Sequence, residues 1–244
     1  ILADIDGASY VVSDVVSKTK TRNPAPPFIT STLQQEASRK LNFTSRRTMQ
    51  AAQQLYEGVE IKGKGTVGLI TYMRTDSLRI SDEAKIAAFD FVKTTYGDEY
   101  APDAPRTYKT KKSAQDAHEA IRPSNVALLP EDIKDSVTPD LYKVYKLIWE
   151  RFVASQMASA IFDTVAVDVN VAGYIFKANG SSVKFPGFMK IYVESKENKE
   201  DDDGALPVLE KGEELKLAKL EESQHFTEPP ARYTEASLIK AMEE

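Results

Sequence analysis

A chain of 244 residues, 41% hydrophobic and 28% charged, has the make-up of a globular protein with one large or two modest domains. It contains no cysteine, which excludes disulfide frameworks, thiolate nucleophiles and cysteine-based zinc sites, and no apolar run approaches the ~20 residues of a membrane span. The formal charge of −5 excludes a uniformly basic surface, but nine Lys/Arg face three Glu from Lys18 to Lys64 and eleven acids face five lysines from Glu194 to Glu222, a polarity that suits one polyanion-facing side.

No secretory leader opens the chain, so the cytoplasm is the expected compartment. The chain starts on Ile1 and closes in a helical pattern at Ala241-Met242-Glu243-Glu244 without a C-cap glycine, as expected of a piece of a longer protein. Residues 1–17 read as strand around Tyr10-Val11-Val12 and Val15-Val16, and Pro24, Pro26 and Pro27 break the pattern. Leu33, Ala37 and Leu41 then mark a helix capped by Ser31 or Thr32. A second helix is predicted from Arg46 to Tyr56, with Thr44 or Ser45 before it, Met49, Ala52 and Tyr56 on one stripe, and Gly58 to stop it. Joined through Asn42-Phe43-Thr44-Ser45, the two make a helix-turn-helix candidate, a shape used on DNA and also a common way to pack helices.

The glycines of Gly63-Lys64-Gly65-Thr66-Val67-Gly68 lead into a predicted strand, Leu69–Arg74, and a helix follows from Asp82 to Tyr96, capped by Ser81 and closed by Gly97. Residues 98–137 read as a long irregular connection whose basic run, Arg106-Thr107-Tyr108-Lys109-Thr110-Lys111-Lys112, suits either a phosphate-backbone contact or an exposed loop. Thr138-Pro139-Asp140 announces a helix with the stripe Leu141, Val144, Tyr145, Ile148 and Phe152. Beyond Ala160 the period changes to two, with Val165, Val167, Val169 and Val171 on one face. Further strands are predicted at 173–178, 182–185, 188–194 and 213–220, and a last helix from Glu235 with Thr234 as cap. The N-terminal strand needs a partner, and the later β-rich part is where one is expected.

Three stretches carry chemistry. In an extended segment alternate residues share a face, so Tyr72, Arg74 and Asp76 are expected to point together. A phenol of ordinary pKa ~10 is a weak nucleophile, and a neighbouring guanidinium both favours the phenolate and stabilises charge on an attacked phosphate. The plain alternative is a strand tyrosine beside a surface ion pair. Second, Gln115-Asp116-Ala117-His118-Glu119-Ala120-Ile121-Arg122-Pro123 sets one of two histidines among acids and an arginine, where it can donate a proton to a phosphate or clamp one of its oxygens, or be merely structural. Asp116 and Glu119 with Asp76 raise the question of a divalent cation, but no spacing fixes a geometry and no metal is assigned. Third, Pro229-Pro230-Ala231-Arg232-Tyr233-Thr234-Glu235-Ala236-Ser237 opens a helix whose free N–H groups, with Arg232 and the Thr234 hydroxyl, favour an anion; ordinary capping is the alternative. No carboxylate pair has the spacing of a hydrolase.

At these stretches the sequence resembles the type IA DNA topoisomerases. The resemblance runs through Pro27–Ala37, Thr48–Gly58, Leu69–Ser77, Ala117–Ser124 and Thr227–Leu238, and Met73, Thr75 and His118-Glu119-Ala120-Ile121-Arg122-Pro123 bring it nearer to bacterial topoisomerase I than to topoisomerase III. It implies an α+β, multidomain fold: a mainly helical tyrosine domain of helix-turn-helix or winged-helix-like character at 31–157, inserted into a β-rich arch made of 1–30 and 158–222, with 223–244 starting the next domain. It implies Tyr72 as nucleophile toward single-stranded DNA, with Arg74 on the scissile phosphate and His118 assisting by hydrogen bonding. Thr71, Asp76, Arg122, Arg232 and Thr234 become expected DNA contacts. The family's Mg²⁺ is held by a Toprim domain that this sequence does not contain, so the expected partners are that domain, single-stranded DNA and negatively supercoiled DNA. A non-enzymatic module that binds single-stranded nucleic acid is the competing reading.

Overall fold

Proline carries no N–H for a β-ladder, and the prolines at 24, 26 and 27 separate the first strand from everything helical that follows. The computed structural model describes residues 1–109, 118–195 and 204–243. In chain order its elements are α1 (Leu2–Ile5), β1 (Tyr10–Arg22), α2 (Thr30–Leu41), α3 (Ser45–Glu57), β2 (Val59–Ile61), β3 (Gly65–Val67), α4 (Asp82–Tyr96), α5 (Pro130–Ile133), α6 (Pro139–Ser155), β4 (Ala160–Val171), β5 (Tyr174–Phe185), β6 (Glu214–Leu215) and α7 (Glu235–Glu243). Short 3-10 turns occupy Asp98–Tyr100, Lys134–Ser136 and Gly187–Lys190. Helices and antiparallel sheet together make an α+β protein. None of the described helices is long and apolar enough to cross a membrane.

One compact unit combines Ile1–Arg22, Ala160–Pro186 and Asn198–Ala231. Its sheet has the order β5-β4-β1-β6, all antiparallel. The partner that the N-terminal strand needs is β4, paired from Val11 opposite Asn170 to Arg22 opposite Ala160, with an irregularity between Val12 and Asp14. Val12, Val167 and Val171 are the buried valines of this ladder. Ala172 and Gly173, at φ 50° and 87°, turn β4 into β5 in the left-handed conformation that a two-residue hairpin demands.

The other unit combines Asn23–Ser159, Gly187–Glu197 and Arg232–Glu244. Its centre is α6, started by Thr138, whose hydroxyl accepts the Leu141 amide, and Pro139. The predicted stripe Leu141, Val144, Tyr145, Ile148 and Phe152 is buried. The Tyr145 hydroxyl donates to Leu128 O at 2.7 Å and the Trp149 indole to Val126 O at 2.9 Å, which fastens the preceding loop to the helix. Arg151, only 3% exposed, donates to Pro26 O at 2.6 Å and to Glu194 at 2.8 Å, while buried Glu36 accepts the Tyr192 hydroxyl at 2.5 Å. Polar groups this deep persist because each has a partner.

Burial raises the Glu150 carboxyl above its ordinary range, with Lys146 and Lys40 only partly opposing the shift. Between the unfolded and the raised folded value the native state holds more protons, so this group costs stability as pH climbs through that window. Glu150→Gln is therefore expected to melt higher than the wild type at neutral pH and to lose that part of the pH slope. Thermal melts between about pH 4 and 8 check it, and equal slopes for the two proteins would refute it.

Several elements depart from their sequence reading. Helix α2 begins at Thr30, and the Thr32 hydroxyl accepts the Ile29 amide, while the Ser31 hydroxyl is buried without a partner. On α3 the buried face is Thr48, Ala51, Ala52 and Leu55, one position away from the predicted stripe, which leaves Tyr56 exposed. The strands predicted at 173–178 and 182–185 are one strand, β5, that runs through Asn179-Gly180. The strand predicted at 188–194 is a 3-10 turn at Gly187–Lys190 followed by coil, and only Glu214 and Leu215 of 213–220 pair. Gly187, at φ 49°, explains the first departure: a Cβ there would lie 2.5 Å from Ser159 O, so the chain turns tightly against backbone where a strand would run straight.

Candidate active site

The segment that bears Tyr72 leaves α3 at close quarters. A Cβ on Gly68 would lie 2.9 Å from Tyr56 O, and the Leu69 amide donates to Leu55 O at 2.7 Å, so the segment starts pressed against the helix end. It then runs extended without entering a sheet: one isolated bridge pairs Ile70 with Pro123. The predicted strand at 69–74 is thus an extended, bent segment, yet its alternation survives. Met73, Thr75 and Ser77 are buried, whereas Tyr72, Arg74 and Asp76 are exposed.

Two threonines hold the segment on either side of Tyr72. Thr71 Oγ1 donates to Ala120 O at 2.7 Å and accepts the Arg122 amide at 3.0 Å, while the Thr71 amide donates to Arg122 O at 2.9 Å. Thr30 Oγ1, in the first turn of α2, lies 2.8 Å from Met73 O and 3.0 Å from Thr75 O, and accepts the Thr75 amide at 2.8 Å. The loop that carries His118 is fastened further by the Ala120 amide to Arg79 O and the Ile121 amide to Phe28 O, each at 2.8 Å. Tyr72 therefore sits on backbone fixed from both sides. Tyr72 is 38% exposed, and its ring contacts those of Tyr56, at 5.4 Å and 69°, and His118, at 5.5 Å and 50°.

A family model described as DNA topoisomerase matches residues 1–244. The chain belongs to the type IA DNA topoisomerases. Full-length topoisomerase I from Thermotoga maritima is similar to it at 39% identity and a TM-score of 0.81, over 97% of this chain and 37% of that one. The chain thus spans a little over a third of the length of that structure.

In this topoisomerase chain the expected site residues divide by how they are engaged. Tyr72 and His118 meet ring to ring, and Arg74 and Asp76 lie on the exposed side of the same segment, with no hydrogen bond or ion pair among the described residues. The Thr71 hydroxyl is occupied inside the protein. The Arg122 guanidinium is committed to Glu119 at 2.7 and 2.8 Å and to Pro123 O at 3.0 Å, in a half-buried pair that braces the His118 loop. Arg232 is exposed. Thr234 caps α7, its hydroxyl accepting the Ser237 amide at 3.1 Å, and a carboxylate already stands near a helix start here, because Glu235 accepts the Ser45 amide of α3 at 2.5 Å. That hydrogen bond holds the Glu235 carboxyl below its ordinary range.

In the described part of the basic run Arg106 and Tyr108 are turned inward, whereas Thr107 and Lys109 are exposed. Arg106 donates to Met157 O at 2.8 Å and to Ser159 Oγ at 2.7 Å, and the Tyr108 hydroxyl, pushed up to about 12 by burial, donates to Ser155 O at 2.7 Å. Lys111, Lys112 and Asp116 lie outside the described residues. No group of three His, Asp or Glu side chains gathers among the described residues, and Glu119 is taken up by Arg122, so the described donor set does not fit Mg²⁺. Sequence reasoning missed Tyr56 and Thr30. The helical period sets Tyr56 on one stripe with Met49 and Ala52, and nothing local in the sequence tells which way the end of a helix faces.

Proposed function

We propose that this chain is the tyrosine-bearing central part of an ATP-independent topoisomerase that cuts one strand of DNA and reseals it, relaxing negative supercoils. Tyr72 Oη attacks the phosphorus of a backbone phosphodiester in single-stranded DNA. The bond from phosphorus to the 3′ oxygen breaks, the phenol gives up its proton, and the 3′ oxygen leaves as a hydroxyl, so the DNA 5′ phosphate becomes joined to tyrosine. One phosphodiester replaces another, which is why resealing, the reverse attack by the 3′ hydroxyl, needs no external energy source.

Arg74 pairs with the scissile phosphate and favours the charge that builds up on its oxygens, a role that a guanidinium fork fills well. His118 supplies a hydrogen bond beside the reacting phenol. Asp76 and Arg232 extend the DNA-facing surface. Mg²⁺ belongs with the acidic cluster of a Toprim domain in the same polypeptide, and without that domain the 244 residues neither cleave nor relax DNA. The single observation that carries this reading is an exposed tyrosine in contact with two rings, one of them the histidine, on backbone pinned from both sides.

The test combines the chain with a Toprim-bearing segment, Mg²⁺ and a single-stranded oligonucleotide labelled at one end. A 3′ label is expected to travel with the protein as a covalent complex, and a 5′ label to leave on a shortened strand. Salt-sensitive binding without any covalent complex would replace the enzyme with a nucleic-acid binding module.

A further inference from the structure

Tyr56 lies in the last turn of α3 and is 41% exposed, although a helix-end tyrosine at a surface has no packing reason to keep one rotamer. Here it meets a specific partner: its ring lies edge-on to that of Tyr72 at 5.4 Å, and the same Tyr72 ring meets that of His118 at 5.5 Å. The backbone makes the meeting durable. Leu69 is hydrogen-bonded to Leu55 O, and Gly68 passes so near Tyr56 O that a side chain at that position would collide with it. The backbone of the helix end and that of the segment that follows are thereby held together, which keeps the Tyr56 side chain within reach of the Tyr72 ring.

We infer that Tyr56 is a positioning residue for strand cleavage: its ring confines the Tyr72 ring against His118 and so restricts the phenol to the rotamer that meets the phosphate. This rests on Tyr72 being the nucleophile. An exposed phenol on an extended segment has several staggered χ1 choices, and only one puts the oxygen in line with a given phosphorus. Edge-to-face packing against Tyr56 together with the contact to the imidazole removes the unproductive choices before DNA arrives. Tyr56 donates nothing to the reaction. What it supplies is a flat aromatic edge, so phenylalanine serves as well as tyrosine and an aliphatic side chain does not.

The experiment measures single-turnover cleavage of a saturating single-stranded oligonucleotide, with oligonucleotide affinity and thermal melting measured in parallel, in a polypeptide that joins this chain to a Toprim domain. Tyr56→Ala is expected to slow the first-order cleavage rate about 10-fold with affinity unchanged, and Tyr56→Phe to restore it to within about twofold. If Tyr56→Ala does not fold, Tyr56→Leu takes its place with the same expectation. A wild-type rate in the aliphatic variant, or a rate in Tyr56→Phe as low as in it, overturns the proposal. So does a loss confined to affinity, which would make Tyr56 a stacking platform for a base. Tyr72→Phe is the control: a covalent complex that survives it defeats the nucleophile assignment itself, whereas its disappearance beside a normal Tyr56→Ala rate defeats only the role of Tyr56.

Discussion

Tyr72→Phe is expected to abolish the covalent protein–DNA complex completely while the fold and the affinity for single strands stay close to wild type. The substitution removes one oxygen and nothing else. The ring keeps its contacts with Tyr56 and His118, and the backbone clamps at Thr71 and Thr30 involve no atom of the Tyr72 side chain. Because the residue is exposed, losing the hydroxyl leaves no buried group without a partner, and the stability change should stay within about 0.5 kcal/mol. Cleavage has no such tolerance, since a phenyl ring has no lone pair to offer phosphorus and no neighbouring hydroxyl is held in its position. Gel separation of 3′-labelled complex, with melting and oligonucleotide titration alongside, reads all three quantities. Residual covalent complex at even a tenth of the wild-type yield would mean that another residue is the nucleophile.

What could be read in advance follows how local each determinant is. The boundaries of α4 and α6 are set by neighbours in sequence, Ser81 and Gly97 for the first and Thr138 and Pro139 for the second, and these were legible. The alternation of Tyr72, Arg74 and Asp76 was legible too, although its cause was misjudged. The segment is extended because Thr71 and Thr30 pin it to two other parts of the chain, where a strand would need a ladder of neighbours. Such pins are long-range, at sequence separations of 49 and 45 residues, and a threonine gives no local sign that its hydroxyl will be spent this way. The same limit explains α3. Its period is right, but a rotation of one position decides between Tyr56 in the core and Tyr56 beside Tyr72, and that rotation is set by what the helix packs against. The short β2–β3 hairpin has no sign in the sequence beyond its glycines: Gly63, at positive φ, lies in its turn, and Gly65, also at positive φ, opens β3 opposite Ile61.

Thr71→Val is the substitution that separates a DNA contact from an internal latch. The sequence suggested the first role; the structure has the hydroxyl donating to Ala120 O and accepting the Arg122 amide, with one oxygen serving both ends of the loop behind His118. Valine fills nearly the same volume but can do neither, so a half-buried carbonyl and amide lose their partner together. The expected cost is about 2 kcal/mol in denaturant unfolding. The effect on the reaction should be larger than its distance from the phosphate suggests. With the latch open, the His118 loop keeps the Ala120, Ile121 and Thr71 amide bonds and the Arg122–Glu119 pair but loses the hydroxyl bridge next to Tyr72, and a displacement of about 1 Å at the histidine is enough to slow strand cleavage about 100-fold. Thr71→Ser keeps the hydroxyl and is expected to recover most of both losses, with the missing methyl leaving only a small stability deficit. Unfolding midpoints, the single-turnover cleavage rate and oligonucleotide affinity decide the matter together. A Thr71→Val protein that unfolds like the wild type and fails only in affinity would show the hydroxyl facing DNA, and would return Thr71 to the surface role that its place beside Tyr72 first suggests.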